Sequence, residues 1–243
     1  MSTEAVLFDV DFTICRPGPE LSPRAYAERG RALGLDLDPS LFELTRRAAL
    51  AELKLRSDLT HDEELWIDFS EKIIRGMGGK GEGVRVLAQA MVLAWERAEH
   101  FELYGDVLPA LTALRERGVK IGLVSNTARD LPAFVIHHGL PVDALIGARE
   151  HGRSKPDPSI FATILDSLGV RPQRAVMVGD SPEDDIEGAR ALGMRAILID
   201  RSGQYPSYPD RLTSLVDLGA RLTPASRETQ APAVGKHGKS GES

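Results

Sequence analysis

Ala5-Val6-Leu7-Phe8-Asp9-Val10-Asp11-Phe12-Thr13 is the stretch on which the reading of this chain turns. Four apolar residues in a row, without Gly or Pro, match a strand buried on both faces. Where the run ends, two carboxylates stand one residue apart, at the point where a strand emerges into a loop. Asp9 is a candidate nucleophile there and Asp11 a candidate acid/base. In extended backbone such neighbours point the same way, but a strand that is ending can aim one at a ligand and set the other beside it. Acids at strand ends also cap turns. The pair therefore gains meaning from what else in the chain converges on it.

Outward from this stretch, short β-rich runs alternate with helical ones. Strands are expected at Ala5 to Phe8, Lys120 to Val124, Ala144 to Ile146, Ala175 to Val178 and Ala196 to Ile199, with a weak last one near Arg211-Leu212. Between the first two of these, Asp106 to Arg117 carries Val107, Leu108, Leu111 and Leu114 at helical spacing before a Gly118 stop. This alternation predicts an α/β fold built on a doubly wound parallel sheet. From Arg16 to Tyr104 no strand-like run occurs. Helical periodicity covers Pro23 to Leu33, Pro39 to Leu55, Asp62 to Arg75 and Gly83 to Ala98, which reads as an inserted all-helical domain. Its breaks are Gly34 to Asp38, Ser57 to His61 and the glycine-rich 76–81. That last run follows a helix and lacks the Lys-Ser/Thr ending of a P-loop, so it reads as a helix connection. The expected division is a core of residues 1–15 and 105–220, a helical domain at 16–104 and a tail at 221–243. Thr223 to Ser243 is rich in Pro, Gly, Ser and charge and is expected to be disordered.

Composition narrows the function classes. With 243 residues, 42% of them hydrophobic, the chain can bury a sizeable core. A net charge of -6 argues against a nucleic-acid partner, while leaving room for a local positive site that takes phosphate. No apolar run approaches the roughly 20 residues of a membrane helix, and Met1-Ser2-Thr3-Glu4 lacks a signal-peptide pattern, so a cytoplasmic location is expected. The single cysteine, Cys15, cannot form an internal disulfide and reads as a packing residue. Nothing in the sequence sets the oligomeric state.

Three further motifs follow predicted strands, and in open parallel sheets ligands collect at the carboxyl ends of strands. Val124-Ser125-Asn126-Thr127 offers a hydroxyl, an amide and backbone N–H groups that can hold phosphoryl oxygens or cap a helix. In Ser154-Lys155-Pro156-Asp157-Pro158 the prolines stiffen the chain around Lys155. Val178-Gly179-Asp180-Ser181-Pro182-Glu183-Asp184-Asp185 opens a helix with Ser181 as N-cap and Pro182 at the first position, and Asp180 stands at the strand tip before the cap. Two like charges about 4 Å apart repel by roughly 4 kcal/mol at an effective dielectric near 20, so Asp9, Asp11 and Asp180 need cations if they meet. Lys155 is one. An all-oxygen site points to Mg²⁺ as the other, and the absence of clustered His or Cys argues against zinc.

The ordered set Asp9-x-Asp11-x-Thr13, Ser125, Lys155 and Gly179-Asp180-x-x-x-x-Asp185 resembles the four motifs of the haloacid dehalogenase superfamily, over nearly the whole chain up to about Leu218. The resemblance implies a Rossmann-like core, with the helical insertion as a cap domain. It also implies a Mg²⁺-dependent phosphohydrolase acting on a small-molecule phosphate ester. Asp9 would form an aspartyl-phosphate, and Asp11 would protonate the leaving oxygen and then activate water. Ser125, Asn126 and Lys155 would hold the transferring group. Asp9, the backbone carbonyl of Asp11 and Asp180 would ligate the metal, with Asp185 in support. Two departures stand out: Phe12 replaces the family's usual glycine, and Asp184-Asp185 stands where Asn-Asp is common, with Asp185 preferred as the acidic partner. A 2-haloacid dehalogenase, a phosphomutase, a silent binding module and a phospho-acceptor switch are the competing readings. Asp11 and Asp180 favour phosphate over halide, since dehalogenating relatives typically lack the second aspartate and the metal.

Overall fold

A computed structural model describes residues 2–55, 62–127 and 129–222. The expected break at Ser57 to His61 and the tail from Thr223 onward lie outside the described residues. Arg221 and Leu222, assigned to the tail from sequence, instead close a short helix, where Leu222 is buried.

Six strands form one parallel sheet: β1 (Ala5–Phe8), β4 (Lys120–Ser125), β5 (Ala144–Gly147), β6 (Ala175–Gly179), β7 (Arg195–Ile199) and β8 (Arg211–Leu212). Their spatial order is β5-β4-β1-β6-β7-β8. The chain builds outward from β1 on one side, then crosses back to pair β6 on the other, so the strand order reverses next to β1. That is where a doubly wound sheet leaves a crevice at its carboxyl edge. In register, Phe8 lies beside both Leu123 and Val178. The tips of β1, β4 and β6 therefore end nearly level.

Alternation along the strands explains the two-sided core. Val6 and Phe8, Val176 and Val178, and Ile197 and Ile199 pack on one face, while Ala5 and Leu7, Ala175 and Met177, and Ala196 and Leu198 pack on the other. Successive strand residues point to opposite faces, so a run that is apolar throughout must be covered twice. Helices α5 (Val107–Glu116), α6 (Leu131–His138), α7 (Ala148–His151), α8 (Pro158–Leu168), α9 (Gly188–Ala191) and α10 (Leu218–Leu222) provide that cover. Their starts follow capping chemistry. Asp157 accepts from the Ser159 N–H at 2.9 Å ahead of Pro158, and Gly169 closes the same helix in the left-handed conformation.

The helical insertion consists of α1 (Pro23–Ala32), α2 (Phe42–Lys54), α3 (Glu63–Gly76) and α4 (Gly83–Glu96). Ser22 caps α1 with Pro23 at its first position, and Asp62 caps α3. The glycine-rich run joins α3 to α4, with Gly78 and Gly81 at positive φ. The expectation of no strand between Arg16 and Tyr104 is corrected: β2 (Cys15–Pro17) and β3 (Phe101–Leu103) pair antiparallel where the chain enters and leaves the insertion. Three-residue strands are too short to show a period of two, and Pro17 reads as a breaker.

Asp106 ties the far edge of the sheet to the loop after β1. It accepts both guanidinium nitrogens of Arg201 at 3.0 and 3.1 Å, the Ser214 hydroxyl at 2.6 Å and the Leu215 N–H at 2.8 Å, while Arg201 donates to the Thr13 carbonyl at 2.8 Å. These bonds hold the Asp106 carboxyl below its usual range despite partial burial. Breaking one partner of a buried ion pair costs about 3–5 kcal/mol. Asp106→Ala is accordingly expected to lower unfolding free energy by about 3 kcal/mol in urea titrations.

Candidate active site

Asp9 extends β1: its N–H donates to the Val178 carbonyl at 2.9 Å, and its side chain is buried at the sheet's carboxyl edge. Lys155 is buried as well. Its Nζ donates at 2.6 Å to Asp9 Oδ1 and at 2.6 Å to Asp185 Oδ1, bridging residues 146 and 30 positions away in sequence. Asp180 follows the tip of β6. One carboxylate oxygen each from Asp9, Asp180 and Asp185 can lie within 4.8 Å of the others. The Asp9 carboxyl is pushed up to about 7: burial raises it most, Asp185 adds to the rise, and Lys155 pulls against both. Burial also raises Asp180 well above the ordinary carboxylate range, with Asp9 and Asp185 adding to the shift. The Lys155 ammonium is driven upward, because the two carboxylates outweigh its desolvation.

Three buried or half-buried carboxylates against one ammonium leave a deficit of positive charge. The donors are all carboxylate oxygens, a set that suits a hard divalent cation. By chemistry and by spacing, the cluster fits such an ion.

Local structure explains how Asp185 reaches this point. Ser181 caps the turn Pro182–Glu187, accepting from the Asp184 N–H at 3.2 Å, and both Asp185 and Ile186 donate to the Ser181 carbonyl, which makes the turn wide. The Asp185 carboxylate folds back to accept the Ser181 N–H at 3.0 Å. It lies against Gly179 so closely that a Cβ there would sit 2.2 Å from it. Asp184 lines the same cavity but is not part of the carboxylate cluster.

Ser125 ends β4 buried, and its Oγ accepts the Thr127 N–H at 3.2 Å, so the hydroxyl caps the turn and keeps its own proton to donate. Asn126 lines the cavity, but its amide is engaged elsewhere. Oδ1 accepts the Lys155 N–H at 2.7 Å and Nδ2 donates to the Lys155 carbonyl at 3.1 Å, clamping the loop that presents the lysine.

Asp11 sits half-buried near Asp9, outside the three-carboxylate cluster. Its Oδ1 accepts from Arg129 Nη2 at 2.7 Å. Arg129 is the functional-site residue that sequence reasoning missed. Its side chain is fully buried, and its guanidinium lies 3.5 Å over the Phe101 ring and 5.0 Å from the Phe134 centroid. Nε donates to the Trp95 carbonyl at 3.3 Å, at the end of α4, and Nη1 has no partner among the described residues. Nothing in Thr127-Ala128-Arg129-Asp130 distinguishes this arginine from a surface one; only the convergence of β1, α4 and α6 does. Phe12, the departure noted from sequence, takes φ +63, a region L-residues rarely adopt, and its ring lines the cavity beneath Arg46. Burial raises the Cys15 thiol well above its ordinary value, which agrees with the packing role expected of it.

A family profile described as haloacid dehalogenase-like hydrolase matches residues 3–193, and the chain belongs to this family of hydrolases. Glyceraldehyde 3-phosphate phosphatase of Methanopyrus kandleri is 33% identical over 216 residues, covering 86% of this chain and 88% of that protein. Ribulose-1,5-bisphosphate 5-phosphatase of Halopiger xanaduensis is 32% identical over 206 residues, covering 82% and 85%. The crystal structure of a HAD phosphatase from Thermococcus onnurineus superposes with a TM-score of 0.63 at 28% identity, covering 90% of this chain and 98% of that one. No helix among the described residues is long and apolar enough to cross a membrane.

The closeness of Gly179 to Asp185 makes a direct test of the cluster. Gly179→Ala should push the Asp185 carboxylate away, loosening both the carboxylate cluster and the lysine bridge. Calorimetric titration with MgCl₂ is expected to show affinity weakened by about 10–100-fold, the range for disturbed metal-site support.

Proposed function

We propose that this hydrolase is a Mg²⁺-dependent phosphohydrolase of small-molecule phosphate monoesters, working through an aspartyl-phosphate on Asp9. The observation that carries the reading is the buried Lys155 bridge between Asp9 and Asp185, with Asp180 completing a cluster within 4.8 Å. A carboxylate nucleophile must be ionised, and burial, with Asp185 adding to it, holds Asp9 up at about 7 even against the pull of Lys155. Together with Lys155, a cation held at this cluster would favour the ionised form of Asp9. Mg²⁺ held by Asp9, Asp180 and the Asp11 carbonyl, with Asp185 in support, would screen the negative oxygens of an incoming phosphoryl group.

The chain's own groups then account for the steps. Lys155 fixes Asp9 through Oδ1, leaving Oδ2 to attack phosphorus, while the Ser125 hydroxyl and Lys155 steady the transferring group. Asn126 takes part by clamping the Lys155 backbone. Asp11 gives a proton to the departing ester oxygen, then takes one from the water that cleaves the aspartyl-phosphate. Arg129 holds Asp11 Oδ1 at 2.7 Å, which leaves Oδ2 to carry the proton. The phosphatase names of the relatives support phosphate over halide as the departing chemistry, and a second aspartate at Asp11 has work to do only when an alkoxide leaves. The same reading keeps residues 16–104 as a cap over the core of residues 1–15 and 105–222, and takes the enzyme to be cytoplasmic.

Asp9→Asn removes the nucleophile while leaving a side chain of the same shape. Turnover of acetyl phosphate or p-nitrophenyl phosphate with Mg²⁺ is expected to fall at least about 10⁴-fold, as for loss of other covalent nucleophiles. Near-normal rates in this variant would overturn the assignment. Asp11→Asn, by contrast, should let phosphoenzyme form from acetyl phosphate and then persist. Acid-quenched protein should accordingly carry close to one phosphate per chain.

A further inference from the structure

We infer that the substrate's alcohol portion is an apolar group of about the size of an aromatic ring, bearing no second phosphate or carboxylate; this rests on the phosphohydrolase reading above. The cavity over the carboxylate cluster measures about 530 Å³, enough for a phosphate with a sizeable organic group. Its far wall comes from the helical insertion and presents Tyr26, Phe42, Trp66, Phe69, Ile73 and Trp95. These rings pack on one another: Trp66 and Phe69 meet edge to face at 5.8 Å, and Tyr26 and Phe42 are tilted against each other at 5.0 Å. Trp95 Nε1 donates to the Tyr26 hydroxyl oxygen at 3.2 Å, so the indole N–H is already satisfied within the wall. Glu43, Ser70 and Glu96 add polar atoms to the same wall, but a polyol laid on the rings themselves would leave hydroxyls without partners there, whereas an apolar group would release water from both faces.

Charge gives the second half of the argument. Four cations line the cavity, and each has a carboxylate within 3.1 Å: Arg46 with Glu43, Arg129 with Asp11, Lys155 with Asp9 and Asp185, and Arg201 with Asp106. Apart from the buried Nη1 of Arg129, which has no partner among the described residues, the lining cations are already committed to carboxylates of the chain. Arg46 also lies 5.4 Å from the Phe12 centroid. The sugar-phosphate and bisphosphate names of the relatives call for the opposite lining, so substrate choice is expected to diverge while the carboxylate chemistry stays the same.

The test compares esters whose leaving alcohols are similar in acidity: 2-phenylethyl phosphate, glycerol 3-phosphate and fructose 1,6-bisphosphate, each with Mg²⁺. The expected result is a kcat/KM for 2-phenylethyl phosphate at least about 10-fold above both others, the value of seating one ring in an apolar pocket. In a Trp66→Ala, Phe69→Ala double variant that ratio should collapse toward one. If the double variant does not fold, inhibition of the unaltered enzyme answers the same question: 2-phenylethylphosphonate should inhibit at least about 10-fold more strongly than methylphosphonate. Equal or better turnover of glycerol 3-phosphate or the bisphosphate overturns the inference while the phosphohydrolase reading stands. Failure to release phosphate from any of these esters and from acetyl phosphate overturns both.

Discussion

The contact on which the site depends is a single buried ammonium shared by two carboxylates. Lys155 meets Asp9 and Asp185 at 2.6 Å each, in a place where none of the three side chains has substantial access to water. Removing charge from solvent is expensive unless the partners are close and well aligned, and truncating one partner leaves the others stranded. The surroundings secure that alignment. Asn126 clamps the lysine's backbone from both sides, the tips of β1 and β6 hold Asp9 and Asp180 level, and the bare backbone of Gly179 lets Asp185 approach. Even so, three carboxylates with one ammonium remain short of positive charge, and that shortage makes a cation a natural occupant of the cluster.

A second buried cation links this centre to the helical insertion. Arg129 bonds both Asp11 and the carbonyl of Trp95, with its guanidinium against the rings of Phe101 and Phe134. Phe101 begins the short strand β3, which pairs with β2 where the chain leaves and re-enters the core. The orientation of Asp11 and the seating of the end of α4 are therefore set by one guanidinium. Trp95 also contributes to the ring wall of the cavity, so the surface that would touch an organic group and the carboxylate that would move a proton share a support.

Much of this architecture is legible in the chain. All six strands of the large sheet are found within one residue of their ends, because runs such as Val6-Leu7-Phe8 and Val176-Met177-Val178 are apolar throughout and bounded by polar or turn-forming residues. The placement of Asp9, Ser125 and Asp180 at strand ends follows from the same runs. The ribbon of β2 and β3 escaped notice because three residues carry no period. Arg129 escaped because its partners are a carboxylate 118 positions away and a carbonyl 34 positions away. The engagement of Asn126 with Lys155 is likewise invisible to a local reading, being a contact across 29 residues.

The amino-acid order alone settled the longer elements and their type, since strand and helix arise from the spacing of apolar side chains within a few residues. It also singled out the acids, the hydroxyl and the lysine as the groups able to do chemistry. Only the tertiary structure decided that Asp185 rather than Asp184 joins Asp9 and Asp180, that Asp11 leans on Arg129, and that the insertion presents rings over the carboxylates. Those outcomes depend on which distant backbones approach within a few ångströms. In a buried setting the energy of a charge is governed by such neighbours, not by its place along the chain.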